Sequence, residues 1–378
     1  MRNLSMIRGL ALNLYERLYS SVIRPHLFKM TAQDAHEWAL NQLTRTDDSF
    51  LAVKFAKLTQ QLTFARQLTP VGKLQLKYPL ILAAGFVKGM GFASEEEALK
   101  AVNQGINIIP GWHMMPSLVG LVEYGSFTRY PRLGNAGTVI WRHPEDMSTQ
   151  NRFGLKNPGA VAAAEFLGQR LNKLPPQYGI NIAISPSVDD ESEEIADIQE
   201  AAMAFLSRNV YPTWFTLNVS CPNTEDDPSG HQTHGKTMRL VKALVEIVDP
   251  IPVWVKISPR LSEEQYVALI EATELAGGEA IIATNTLPMP APNDPHLMAG
   301  VGGGCLYPYA IDTVKILMEK KQMLGAKIDI IACGGILSHE QYSAYSQLGV
   351  KAMQYWSALV YLGPLAAALI SHKANRNI

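Results

Sequence analysis

The sequence predicts an α/β fold: a closed (β/α)8 TIM barrel with a small N-terminal helical extension. Three observations predict it. Eight short apolar runs, bounded by Gly, Pro or Asn, are spaced along residues 79–359. Segments with helical periodicity alternate with them. Several of the runs are almost continuously apolar, which is the pattern of parallel strands covered on both faces. An open doubly wound sheet is the alternative, and the count of eight favours closure.

The elements follow in chain order. Ile7, Leu10, Leu14, Leu18 and Val22 repeat at helical spacing, with Arg8 and Arg17 on other faces. TAQDAHEWALNQL (31–43) predicts a second helix, with Thr31 as N-cap and Asp34 three residues on. QLTPVGKLQLKYPL (67–80) predicts a short hairpin that closes the barrel's bottom. The eight strands are expected at 79–85, 105–111, 178–185, 213–220, 251–258, 280–286, 329–335 and 352–359. Helical segments such as EEQYVALIEATELA (263–276) and YAIDTVKILMEK (309–320) lie between them. Residues 112–158 form a long excursion after the second expected strand, and a connection of that length is usually functional. The expected division is an extension over residues 1–45 and a barrel over 46–378.

Composition narrows the function. Of the 378 residues, 47% are hydrophobic and 18% charged, so a packed core is expected. The net charge is −1 and no Lys/Arg run occurs, so a nucleic-acid partner is not expected. Cys221, Cys305 and Cys333 form no CxxC pair, so neither a disulfide framework nor a zinc site is signalled. His231 and His234 lack a third ligand, and no metal is expected. No apolar run reaches the length of a spanning helix, and the first 20 residues lack a signal core. Residues 1–33 carry five basic side chains against Glu16 alone. A basic amphipathic segment of that kind suits a membrane surface, so a peripheral location on the cytoplasmic side is expected, or otherwise the cytoplasm.

The chemistry is expected in the loops after the strands. Lys88 follows the first strand, Asn181 lies in the third, and Asn218 leads into SCPNT. Lys256 sits inside an apolar strand, where an unpaired ammonium is costly, so it points to a ligand contact. Asn285 ends the sixth strand. VGGG (301–304) and CGGI (333–336) let backbone amides approach an anion such as a phosphate. Cys221 is a thiol at the end of a greasy strand, whereas Cys305 and Cys333 are expected to pack.

LAAGFVK (82–88), NRFGLKNPG (151–159), NVSCPNT (218–224), VKISP (255–259), ATNT (283–286), CGGI and MQYWSALVYLGP (353–364) together resemble the dihydroorotate dehydrogenase family. Residues 14–43, with Arg24-Pro25 and Asp34-Ala35-His36, resemble the membrane-associated, quinone-reducing class of that family. The resemblance implies an FMN enzyme of pyrimidine biosynthesis that oxidises dihydroorotate to orotate and passes the electrons to quinone. It implies Cys221 as catalytic base, and Lys88, Asn151, Asn218, Asn223 and Asn285 as substrate contacts. For the cofactor it implies Ala84, Gly85 and Asn181 along the isoalloxazine and Lys256 beside its polar edge. Gly303, Gly334, Gly335, Trp356 and Ser357 would hold the rest, the phosphate included.

The chain also departs from the family pattern. Cysteine stands at the base position where the quinone-linked class has serine. PGWHMMP, with Trp112 and His113, stands where a Gly-Thr-rich flavin contact is expected. The 225–235 loop has no counterpart. Trp356 and Ser357 replace a tyrosine and a threonine. Two further readings therefore stay open: an FMN oxidoreductase of this fold acting on another small cyclic or unsaturated substrate, and an inactive flavin- or phosphate-binding barrel.

Overall fold

The computed structural model describes residues 2–186, 188, 190–220 and 232–376. Eight parallel strands close a barrel: β1 (Leu80–Leu82), β2 (Leu121–Phe127), β3 (Gly179–Ala183), β4 (Trp214–Asn218), β5 (Val253–Ile257), β6 (Ala280–Ala283), β7 (Asp329–Cys333) and β8 (Met353–Tyr355). Each pairs with the next, and β8 returns to β1. Period-two alternation sorts their side chains. Leu80, Ile182, Leu217, Val255 and Ile281 face the surrounding helices, while Ile81, Leu121, Trp214, Trp254, Ile282 and Ile331 fill the interior. Trp214 and Trp254 stack there with ring centroids 4.5 Å apart. Gly179 makes room for the pair, since a Cβ on it would lie 2.2 Å from the Trp214 ring.

The expected hairpin is present as Thr69–Val71 paired with Leu74–Leu76, and it plugs the bottom of the barrel. Val71 and Leu76 join the interior cluster. The turn is pinned by Asp329, whose carboxylate accepts from the Gly72 N–H at 2.7 Å, and by Glu279, which accepts from the Lys73 N–H at 2.9 Å.

Two expectations need correction. Residues 105–111 form no strand: they turn, and Ile108 and Ile109 are buried against the surrounding helices. The second barrel strand is β2, inside what the sequence reads as a long excursion. Its pattern is broken by an inward carboxylate, Glu123, and by Gly125, so it does not look like a buried strand. The remainder of the excursion contributes Ile140–His143 and Ser148–Asn151 to a separate antiparallel sheet. A hairpin that the sequence does not announce, Leu287–Ala291 and Asp294–Gly302, completes that sheet. Pro288 and Pro290 disguise it, and they are tolerated because their strand lies at the sheet's edge.

The N-terminal segment is three helices: α1 (Arg2–Leu18), α2 (Ala32–Thr46) and α3 (Phe50–Thr63). A π turn, Tyr19–Ile23, and the short helix Arg24–Leu27 continue α1. Thr31 caps α2 as expected, its hydroxyl accepting from the Asp34 N–H at 3.1 Å. The predicted stripe on α1 faces outward: Leu10 is 63% exposed and Leu14 70%. The unforeseen α3 adds Phe50, Leu51 and Phe55, each more than 70% exposed. Asp47, buried between α2 and α3, ties the segment to the barrel. Its carboxylate accepts from the Gly111, His113 and Met114 N–H groups and from the Asn107 amide. Trp112 is fully buried against Phe166, and His113 stacks on it.

Candidate active site

A cavity opens at the C-terminal ends of the strands, where loops from different strands converge. Most of the residues expected there line it. Ala84, Gly85 and Lys88 come from the loop after β1, Asn181 from β3, Asn218 from β4, Lys256 from β5 and Asn285 from the end of β6. Asn151 and Gly303 arrive from the antiparallel sheet and the turn that follows it, Gly334 and Gly335 after β7, and Trp356 and Ser357 after β8. Cys221, Asn223 and residues 225–231 lie outside the described residues. Trp112 and His113, expected beside the flavin, are not among the lining residues; they pack at Asp47 instead.

The wall on the β4 side is a mesh of amides and hydroxyls. Asn285 donates to the Ser220 carbonyl at 2.7 Å. Asn218 donates to the Ser126 hydroxyl at 3.3 Å and accepts from the Ser220 N–H at 3.2 Å. Register sets β5 beside it, with Asn218 opposite Lys256. Near β8 the Thr149 and Ser357 hydroxyls share a hydrogen bond of 2.6 Å. The glycine turns are obligatory. Gly335 has φ +67°, and a Cβ there would lie 2.3 Å from the Tyr307 Cβ; Gly303 has φ +89°, and its Cβ would lie 2.5 Å from the Met147 carbonyl.

Beneath the cavity lies a polar layer that sequence reasoning missed. Lys256 donates to the Gln354 side-chain carbonyl at 3.2 Å, and the Gln354 amide donates to Glu123 at 3.1 Å. The thiol of Cys333 is pushed up by burial, against the neighbouring Lys256 ammonium, and it packs in the interior as expected. Ser126, Thr149 and Phe153 also line the cavity and were missed. Ser126 was hidden with its strand, β2; Thr149 comes from a sheet that the sequence did not show. Gln354, inside a motif already quoted, was the legible signal.

A second cavity of about 340 Å³ lies between the N-terminal helices and the end of β8. Its walls are mostly apolar, with Tyr15, Leu43, Phe86, Met115 and Leu359 among them. Thr149 and Trp356 line both cavities. His36 stands near the partition, 5.8 Å from the Phe86 ring centre and 5.3 Å from that of Phe153. Burial lowers its imidazole to about 4, and Lys88 and Lys156 add to the effect. Unfolded, it takes up a proton near pH ~6.5. Stability is therefore expected to fall as pH drops from about 6.5 toward about 4, at no more than about 1.4 kcal/mol per pH unit, with no loss from this group above that window. His36→Phe is expected to flatten this limb of melting temperature against pH; a limb of unchanged steepness would assign it to other groups.

The site fits a flavin mononucleotide. The Asn181 side-chain oxygen is buried and has no hydrogen-bond partner among the described residues, so an acceptor awaits a donor. Lys256 supplies a cation to the same cavity, and the turns at Gly303, Gly334 and Gly335 bring backbone to its wall.

Residues 68–378 match the model of the dihydroorotate dehydrogenase family, and the chain belongs to that family. Its members are FMN-dependent oxidoreductases acting on dihydroorotate. Among curated relatives, the dihydroorotate dehydrogenase (quinone) of a Nocardioides species is 30% identical over 354 residues, 85% of this chain and 92% of that one. The protein of the same name from Christiangramia forsetii is 27% identical over 94% of this chain and 98% of its own. The ligand-free DHODH structure of Eimeria tenella superposes with a TM-score of 0.68 at 20% identity, covering 88% of this chain and 95% of that one, which is a likeness of fold.

Proposed function

We propose that this chain oxidises dihydroorotate to orotate, as a step of pyrimidine biosynthesis, with FMN as cofactor and a quinone as final acceptor. The observation that carries the reading is the pairing of two cavities across one partition: one at the barrel mouth lined by two lysines and four asparagines, and a mostly apolar one under the N-terminal helices. The names of the curated relatives support the same acceptor.

Bound FMN supplies a two-electron acceptor in the barrel mouth. The protein's residues do the rest. Asn151, Asn218 and Asn285 offer amides that match the carbonyl and N–H groups of a cyclic ureide, and Asn223 is assigned with them. Lys88 provides a cation for the substrate's carboxylate. Oxidation removes a hydride from one ring carbon and a proton from its neighbour. Cys221 is assigned to take that proton. Lys256 holds a positive charge at the cavity floor, where negative charge builds up as the hydride leaves the substrate.

The test is the visible spectrum of the purified protein under anaerobic dihydroorotate. A yellow protein that bleaches supports the reading. One that stays yellow would favour the inactive barrel or another substrate. The case for another substrate rested partly on Trp112 and His113, which lie away from the cavity.

We further place α1 and α3 on a membrane surface, peripheral and from the cytoplasmic side. No helix among the described residues is long and apolar enough to cross a membrane. The outward Leu10, Leu14, Phe50 and Phe55, with Arg8 and Arg17 nearby, suit an interfacial site. Burying one such side chain is worth about 1.5–3 kcal/mol. Leu14→Glu with Phe55→Glu is therefore expected to weaken binding to anionic vesicles by about a hundredfold or more in a flotation assay. Equal flotation of the variant and the wild type would remove the membrane claim.

A further inference from the structure

Glu123 is a glutamate inside a barrel, fully buried, and it lines neither cavity. One of its oxygens accepts from the Asn181 amide at 2.9 Å. The other accepts from the Trp214 indole at 2.9 Å, the Thr216 hydroxyl at 2.7 Å and the Gln354 amide at 3.1 Å. All four partners are donors, as an acceptor-only group requires.

This arrangement fixes two side chains that do face the cavity. An asparagine amide can present either end, and its neighbours decide which. Because Glu123 takes the Asn181 NH2, the Asn181 oxygen is the end left over, buried and without a hydrogen-bond partner among the described residues. Because Glu123 takes the Gln354 NH2, the Gln354 oxygen is turned to Lys256 and holds its ammonium at 3.2 Å. The ammonium, the amide and the carboxylate therefore form a chain of two hydrogen bonds.

The geometry points to Glu123 as the positioning residue that sets the hydrogen-bonding pattern of the cavity floor: an acceptor at Asn181 and a cation at Lys256, both held through one carboxylate. A ligand edge with an N–H donor flanked by carbonyl acceptors matches that pattern. The pyrimidine-like edge of a flavin is such an edge, so the inference rests on the FMN reading above and deepens it.

Glu123→Gln separates this role from simple packing. Three donors converge on one oxygen, and the indole cannot reverse. The new amide must therefore keep its oxygen on that side and turn its NH2 toward Asn181. Asn181 then flips, and a donor replaces the acceptor in the cavity.

The experiment measures binding of FMN and of 3-methyl-FMN, which lacks the N–H, to the full-length chain by flavin fluorescence. Wild type is expected to prefer FMN by tenfold or more. Glu123→Gln is expected to bind FMN about tenfold more weakly, a change of about 1.4 kcal/mol, and to lose the preference. Thr216→Val removes a partner of Glu123 and leaves the Asn181 hydrogen bond, made to the other oxygen, in place; it is expected to keep both affinity and preference. Full affinity and preference in Glu123→Gln would overturn the assignment, and so would equal losses in Glu123→Gln and Thr216→Val. Should Glu123→Gln fail to fold, Gln354→Met decides. It leaves Asn181 pinned, so the preference is expected to survive while the flavin midpoint potential shifts; loss of the preference there would overturn the assignment. Wild type that binds no FMN takes down the cofactor reading as well, whereas wild type that binds FMN beside an unaltered variant takes down this assignment alone.

Discussion

Cys221→Ala is expected to leave the protein yellow and to slow its reduction by dihydroorotate by about 10²- to 10⁴-fold, the usual contribution of a positioned base. Stopped-flow absorbance under anaerobic conditions reads this half-reaction without involving the acceptor. The assignment draws on the motif NVSCPNT and on its attachment to Asn218, which stands in the cavity wall three residues earlier. A free thiol titrates near pH ~8.5, so the rate in the wild type is expected to rise with pH across that range or below it, as the thiolate forms. Reduction as fast as the wild type's would exclude Cys221 as the base.

Lys256→Met is expected to slow the same half-reaction by about 10²- to 10³-fold, the cost of losing one preorganised charge in a water-poor site. Methionine keeps the length of the stem and removes the ammonium, so the interior packing around Trp254 and Cys333 is spared. The substitution also leaves the Gln354 oxygen without its donor. The expected signature is a lower midpoint potential of the bound flavin together with the slower rate. An unaltered potential would mean that Lys256 serves the cavity only as a structural cation.

Seven of the eight barrel strands were legible because both of their faces are buried, and most of the residues there are apolar on both faces. The second was not. Glu123 and Gly125 sit where a buried strand should be greasy, and Glu123 is tolerated only because four donors from other strands converge on it. No local pattern carries that information. The run at 105–111 misled for the opposite reason: Ile108 and Ile109 are buried without strand pairing, and burial alone looks the same in sequence. The site residues stood out as polar groups within or just after apolar strands, which is why Asn181, Asn218, Lys256 and Asn285 could be named. Thr149 and Ser126 could not, because their place depends on elements whose pairing is long-range.

The partition formed by Thr149 and Trp356 has a kinetic meaning under the proposed function. The two reactants enter by different doors and never share a binding volume. Each half-reaction can then run with the other door empty, in a two-stroke cycle. A compound that blocks the apolar door would lower the turnover number without raising the concentration of dihydroorotate needed for half-maximal rate. Selectivity among inhibitors of this chain would thus be decided by the helices that frame that door, which contribute Tyr15, Trp38 and Leu43 to its walls and, among the described residues, none to the barrel-mouth cavity.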